Sequence, residues 1–383
     1  MTGLVRCLAM FYICSMSRQA EIPPQNAVRP RNRTPGRAAV DNATGRFEPY
    51  RTVPVDDGWV GDDDPPPVLR TQIRHERPRK VITRNSSPDL PFDRSINPYR
   101  GCEHGCIYCF ARPTHAYLGL SPGLDFETRL VARPSAPEVL ARELSKPGYR
   151  PAPIAIGTNT DPYQPVEKDA RIMRRILEVL LEFRHPVSIV TKGALIERDL
   201  DLLAELAKLN LVQVGISVTT LDRKLCRAME PRAAAPQRRL QMIEALAGVG
   251  VPVRAMVAPV IPALTDHEIE AILTACHKAG ARNATWIMLR LPLEVSELFQ
   301  DWLRRTAPGR AARVMGHVRD MHGGKTYDAQ WGKRMRGEGH YAEIIAARFS
   351  RAAKALNLHH DSPPLRLDLF KVPPRPGDQL SLF

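Results

Sequence analysis

A partial parallel (β/α) barrel related to the TIM architecture, carrying a C-terminal helical extension, is the α/β fold class that this sequence predicts. Two observations lead there. From about Ser95 to Pro292, short β-branched runs alternate with amphipathic helical stretches, and such repetition demands a parallel sheet with right-handed crossovers. The runs are apolar and amount to six or seven units, which suits a partial or full barrel. A doubly wound open sheet is the alternative.

In order, FETRLVAR (126–133) precedes the helical PEVLARELSK, and IAIGTNTD (154–161) precedes EKDARIMRRILEVLLEF. In the latter, Met173, Ile176, Leu177 and Leu180 share one helical face. SIVTKG (188–193) leads to RDLDLLAELAKL, VQVGISVTT (212–220) to a long helical region, and VRAMVAPVIP (253–262) to HEIEAILTACHKAG. TWIMLRLP (285–292) ends the series. Ahead of it, VITRNSSPDLPFDRS reads as a lead-in strand that covers the barrel edge.

Residues 1–75 are rich in Pro, Arg and Asp, bury too little apolar surface to offset chain entropy, and are predicted to be disordered. The core barrel then runs over 76–295, a helical extension over 296–370, and a flexible tail over 371–383. Residues 1–15 hold one basic residue and a short apolar run, with no small-residue cleavage pattern and too few residues to span a bilayer. Met16 offers a second start, and no membrane association is expected.

The 383 residues are 43% hydrophobic and 25% charged, ordinary for a globular protein, but Lys and Arg exceed Asp and Glu by 14. A pI near 9.7 favours a polyanionic partner, nucleic acid first; an Arg-rich proteome explains it equally well.

Cys102, Cys106 and Cys109 stand in NPYRGCEHGCIYCFARP at the spacing CxxxCxxC. Three thiolates on a short loop can hold three irons of a four-iron four-sulfur cluster and leave the fourth open to a small molecule. Zinc, with His104 or His115 as a fourth ligand, is the competing reading. An odd total of seven Cys argues against a disulfide framework. Cys226 and Cys276, in apolar helical surroundings, read as small core hydrophobes.

Chemistry in parallel barrels collects at the C-terminal strand ends, here Gly157 to Asp161, Thr191 and Lys192, Ser217, Thr219 and Thr220, Pro259 and Pro262, and Arg290. Thr219 and Thr220 fit helix capping as well as ligand binding. Arg227, Glu230, Arg232, Arg238 and Arg239 follow one strand end and read either as a phosphate channel or as a solvated face. The 323–341 segment interleaves Tyr327, Trp331 and Tyr341 with Lys325, Lys333, Arg334 and Arg336, a pattern able to stack on bases, close over substrate, or form a plain basic loop.

CxxxCxxC with the aromatic Tyr108 before its third Cys closely resembles the cluster loop of the radical S-adenosylmethionine (SAM) superfamily. TNTD, the TK of SIVTKG, the Ser of GISVT and the VAP of AMVAPVIP are similar to the subgroup of spore photoproduct lyase. The resemblance covers roughly residues 93–292. It implies a four-iron four-sulfur cluster held by Cys102, Cys106 and Cys109, and SAM contacts from Tyr108, Asn159, Thr160, Asp161, Lys192 and Ser217. The superfamily's usual GGE is absent, and Thr158 and Asn159 stand where the lyase carries a cysteine. The implied activity is reductive SAM cleavage to a 5′-deoxyadenosyl radical, with a flavodoxin or ferredoxin as electron donor and a nucleic-acid substrate. Modification of a protein or small molecule, and non-catalytic DNA binding, are the alternatives. An iron-sulfur enzyme needs a reducing compartment, so cytoplasm is expected.

The last five residues, QLSLF, match the pentapeptide with which bacterial polymerases and repair proteins dock on the DNA sliding clamp. Leu382 and Phe383 would fill an apolar pocket, with Gln379 orienting and Leu380 beside it. The alternative is a last strand folded back on its own domain.

Overall fold

The computed structural model describes residues 36–48, 69–360 and 363–374. Its strands are β1 (Gln72–His75), β2 (Thr83–Arg84), β3 (Arg94–Ile96), β4 (Tyr99–Arg100) and β5 (Arg129–Ala132), then β6 (Ile154–Ile156), β7 (Val187–Thr191), β8 (Val212–Ser217), β9 (Val253–Val260) and β10 (Asn283–Met288). The larger sheet has the order β10-β9-β8-β7-β6-β3-β2. From β3 to β10 neighbours are parallel, whereas β2 runs antiparallel to β3 at the edge.

That order decides the architecture. Strands enter the sheet in the sequence in which they occur, with no reversal, so the doubly wound alternative with its switch point falls and six parallel strands wind in one direction. Ile154, Val187 and Val212 are register partners in a row, and each is fully buried.

Helices α1 (Leu124–Thr128), α2 (Ala136–Leu144), α3 (Glu167–Ala170), α4 (Ile172–Glu182), α5 (Leu200–Lys208), α6 (Arg223–Met229), α7 (Pro236–Gly248) and α8 (Ile269–Lys278) lie between the strands. In α4 the residues Ile172, Met173, Ile176, Leu177 and Leu180 form the buried stripe that its periodicity predicts. Helices α9 (Val295–Thr306), α10 (Pro308–Asp320) and α11 (His340–Ala355) follow. Among the described residues no helix is long and apolar enough to cross a membrane.

Two expectations need correction. FETRLVAR is not a barrel strand: α1 takes its first residues, and β5 pairs with β1 and β4 in a separate three-stranded sheet. The cause is the cluster loop, which needs this segment beneath it, since the Phe126 carbonyl accepts a 2.8 Å bond from the Cys102 amide. The barrel's first strand is β3.

Disorder over 1–75 is also too broad. Residues 36–48 are ordered, with Arg37, Ala38 and Ala39 buried, and residues 72–75 form β1 against β5. This segment is held by polar bonds as well as by Ala38 packing in the apolar cluster: the Ala38 and Ala39 amides donate to Glu127 at 3.2 and 3.1 Å. Composition alone does not register such anchoring.

Beyond β10, the segment around residue 335 joins the two ends of the sheet order. The Met288 amide on β10 donates to the Met335 carbonyl at 2.9 Å. Within the preceding three residues, the Gly332 amide (2.7 Å) and Arg334 Nε (2.5 Å) donate to Asp89, in the connection from β2 to β3.

Candidate functional site

The cluster loop leaves β4 at the C-terminal side of β3 and carries Cys102, Cys106 and Cys109, all free thiols. Its turn needs Gly105, whose φ of +65° is left-handed and whose added Cβ would lie 2.7 Å from the Glu127 carboxylate. Arg112, fully buried, ties the loop together. Its guanidinium donates to the carbonyls of Cys106 (2.9 Å), Gly105, Pro122 and Gly123 (3.0 Å each) and pairs with Glu127 at 2.5 Å. A buried Arg bound to this many loop carbonyls fixes the loop's shape.

A second buried pair fixes the loop from the other side. Glu230 accepts from the Tyr108 hydroxyl and from Thr219 Oγ1 (2.9 Å), and its second oxygen meets Arg239. Arg239 also donates to the Ser217 carbonyl at 3.1 Å, and the Ile107 amide donates to the Met229 carbonyl at 3.0 Å. The loop is thereby stitched to the C-terminal ends of β8 and α6.

Asp161 makes the third attachment. Its carboxylate accepts from Thr191 Oγ1 (2.6 Å), the Lys192 amide (2.7 Å) and the Tyr163 amide (2.9 Å), and lies 3.3 Å from His104 Nδ1. Burial alone would raise its pKa, but His104, the Thr191 hydroxyl and the Lys192 amide together hold it down to about 2. The chain can reach this geometry because Gly157, at the end of β6, has φ +89°, and a Cβ there would stand 2.0 Å from the Val190 carbonyl.

The other resemblance-derived residues divide by exposure. Thr160 is buried and donates to the Tyr99 carbonyl at 3.0 Å, whereas the Asn159 side chain is exposed. Ser217 is buried at the end of β8. The Lys192 ammonium has no hydrogen-bond or ion-pair partner among the described residues; it lies 5.9 Å from the Tyr108 ring centroid. Thr220 and the Leu221 amide bind Glu268 at 2.5 and 2.6 Å, a structural role.

His104 Nδ1 faces Asp161 at 3.3 Å, and His115 Nε2 meets the Arg129 carbonyl at 3.0 Å while its Nδ1 is buried without a hydrogen-bond partner. Burial pushes His115 down to about 4. Among the described residues no three His, Cys, Asp or Glu side chains converge as a single ion requires, whereas a cluster takes each thiolate on a different iron.

The donor set fits a cluster. Burial raises all three thiols, most plainly Cys102 and Cys106, so bare thiolates are disfavoured here until iron supplies positive charge. The backbone of Asp161 and His104 works against that burial at Cys102, and the backbone of Ala111 and Arg112 does so at Cys109, each favouring the thiolate.

The sequence model of the radical SAM superfamily matches residues 96–276, from the end of β3 into α8. This chain carries a radical SAM domain. The superfamily's four-iron four-sulfur cluster and SAM are accordingly the cofactors of this domain. An uncharacterized protein of Mycobacterium tuberculosis is 42% identical over 226 residues, which is 58% of this chain and 66% of the relative's own length. An uncharacterized protein of Methanocaldococcus jannaschii is 28% identical over 173 residues, 45% of this chain and 62% of its own. Among solved structures, a spore photoproduct lyase variant aligns with TM-score 0.55 at 14% identity, covering 74% of this chain and 78% of the lyase. Another variant of that lyase, holding AdoMet and a dinucleoside spore photoproduct, gives 0.51 at 14% identity over 74% and 78% of the two chains. The likeness to the lyase is one of fold.

Sequence reasoning missed Arg112, Glu127, Glu230 and Arg239 as organisers of the radical SAM loop. The sequence leaves Glu230 and Arg239 as either channel residues or part of a solvated face, yet both are buried and paired. Tyr341 likewise leaves the basic loop for α11, where its hydroxyl bonds Asp266 at 2.6 Å and its ring stacks on His317 at 4.0 Å. Trp331 is 60% exposed.

Proposed function

We propose that this chain is a radical SAM enzyme acting on a nucleic acid. The observation that carries the reading is the loop of Cys102, Cys106 and Cys109, pinned by the buried carboxylates of Glu127 and Glu230 and by the partly buried Asp161 at the C-terminal rim of six parallel strands, with the unpaired Lys192 ammonium beside it. Bound together, the cluster and SAM supply reductive cleavage to methionine and a 5′-deoxyadenosyl radical that abstracts a substrate hydrogen atom.

The chain's own part is placement. Cys102, Cys106 and Cys109 ligate iron. Lys192 would meet the SAM carboxylate, the exposed Asn159 side chain would reach its methionine end, and Ser217 would lie toward its ribose. Tyr108, held by Glu230, walls the site, and Thr160 and Asp161 keep the ends of β6 and β7 in position. An external flavodoxin or ferredoxin supplies the electron.

For the substrate, a net charge of +14 supports a polyanion, and the structurally similar lyase was captured with a dinucleoside photoproduct. QLSLF, residues 379–383, lies outside the described residues; as a proposed clamp-docking peptide it is tested by whether deleting it abolishes clamp binding.

The deciding experiment incubates anaerobically reduced, reconstituted protein with SAM and deuterated DNA. Wild type should form 5′-deoxyadenosine slowly alone and faster with DNA, with deuterium in the product. C102A, C106A and C109A should each lose cluster absorbance and cleavage, and K192A should keep iron while cleaving more slowly. Cleavage without any DNA effect would leave the enzyme and remove the nucleic acid; no cleavage from a fully loaded cluster would remove the enzyme.

A further inference from the structure

The stretch from Leu221 to Leu240 carries six cations. Three are neutralised: Arg232 by Glu103 at 3.1 Å, Arg238 by Glu197, and Arg239 by Glu230. The other three, Arg223, Lys224 and Arg227, have exposed side chains with no hydrogen-bond or ion-pair partner among the described residues. All three line the same cavity, about 560 Å³, the size of an ordinary ligand site.

Holding these cations together costs stability. Arg223 and Arg227 are four apart on α6, where like charges repel; among the described residues neither has an ion-pair partner, and the neighbouring Asp222 carboxylate is engaged in capping the Lys224 and Leu225 amides. Glu230 also lines the cavity, but its oxygens are taken by Tyr108, Thr219 and Arg239, so the field inside stays positive. The cavity adjoins the chemistry. Its wall includes Ala228 and Glu230, flanking the Met229 carbonyl that receives the Ile107 amide of the cluster loop. On the other side Ala233 and Ala235 flank Ala234, whose amide donates to the Lys192 carbonyl at 3.3 Å.

We infer that this cavity binds the phosphodiester backbone of a nucleic-acid strand and leads it past the cluster loop. The inference rests on the nucleic-acid reading above and narrows it. Two guanidiniums present forks matched to phosphate oxygens, Lys224 adds a point charge, and successive phosphates along a strand suit three cations in a row better than one small anion does.

The test compares wild type with R223Q/K224Q/R227Q and the charge-preserving R223K/R227K, using anisotropy of a labelled single-stranded oligonucleotide across a salt series. A parallel titration uses inorganic pyrophosphate, and melting temperature and cluster absorbance check folding. Each phosphate contact on a single strand contributes about 0.7 to the slope of log K against log salt, so the triple variant should lose about 2 from the slope and bind at least about tenfold more weakly at low salt. The Lys variant should keep the slope. Equal slopes for wild type and the triple variant would overturn the cavity as the strand's track and leave the nucleic-acid reading standing. Pyrophosphate binding that the triple variant loses, with no oligonucleotide binding by wild type, would overturn the strand as occupant along with the nucleic-acid reading. Binding of neither ligand would overturn both.

Discussion

Arg112 and Glu127 are both fully buried, so each is tolerable only because of the other. Arg112→Ala should cost about 3–5 kcal/mol, since it strands a buried carboxylate and frees four loop carbonyls. Arg112→Lys keeps the charge but loses the planar fork, so it should restore much of the stability yet little of the iron retention. Denaturant midpoints and iron content after reconstitution check both; a Lys variant with wild-type iron would show that charge alone matters. At this scale the cysteines were legible because their spacing is local, three within eight positions. Glu127 and Glu230 were not, because their partners lie 15 and 9 or more residues away and only the fold brings them together.

Among the elements, the 332–335 segment is held across the sheet ends chiefly by one carboxylate. Asp89 has its pKa lowered, first by the bond from the Gly332 amide and then by Arg334. A depressed carboxylate contributes its hold above the ordinary pKa of about 4 and loses it as pH falls through the lower, folded-state value. The segment should therefore loosen only in acid, and Asp89→Asn should loosen it at neutral pH. Amide exchange over residues 328–338 reads this, with exchange several-fold faster in the variant; unchanged exchange would assign the anchoring to the Met288–Met335 bond instead. The strand-and-helix repeat was legible in the sequence because apolar periodicity reports burial. FETRLVAR misled because Leu130, Val131 and Ala132 are buried in a different sheet, and a run of apolar residues does not say which sheet receives it.

Across the whole molecule, the cluster loop is the meeting point of segments far apart in sequence. Glu127 below it also binds the amides of Ala38 and Ala39, His104 meets Asp161 at the ends of β6 and β7, and Ile107 and Tyr108 attach to Met229 and Glu230. A cofactor that binds the folded loop and not the unfolded chain stabilises everything the loop must be folded to touch. At a ligand excess of about a hundred over Kd that is roughly 2.7 kcal/mol, which in a domain of this size corresponds to a melting rise on the order of 5–10 °C. Reconstitution should accordingly raise the melting temperature by that order and slow amide exchange not only over 102–112 but also over 36–43, around 161 and over 228–230. The distribution matters more than the size of the rise. If protection stayed within 102–112, the ion pairs and amide bonds that radiate from the loop would be static packing, and loading would be a local event. If it spread to the distant segments, loading the cluster would also order the surroundings of the cavity lined by Arg223, Lys224 and Arg227, coupling cofactor assembly to the shape of the site where substrate is proposed to bind.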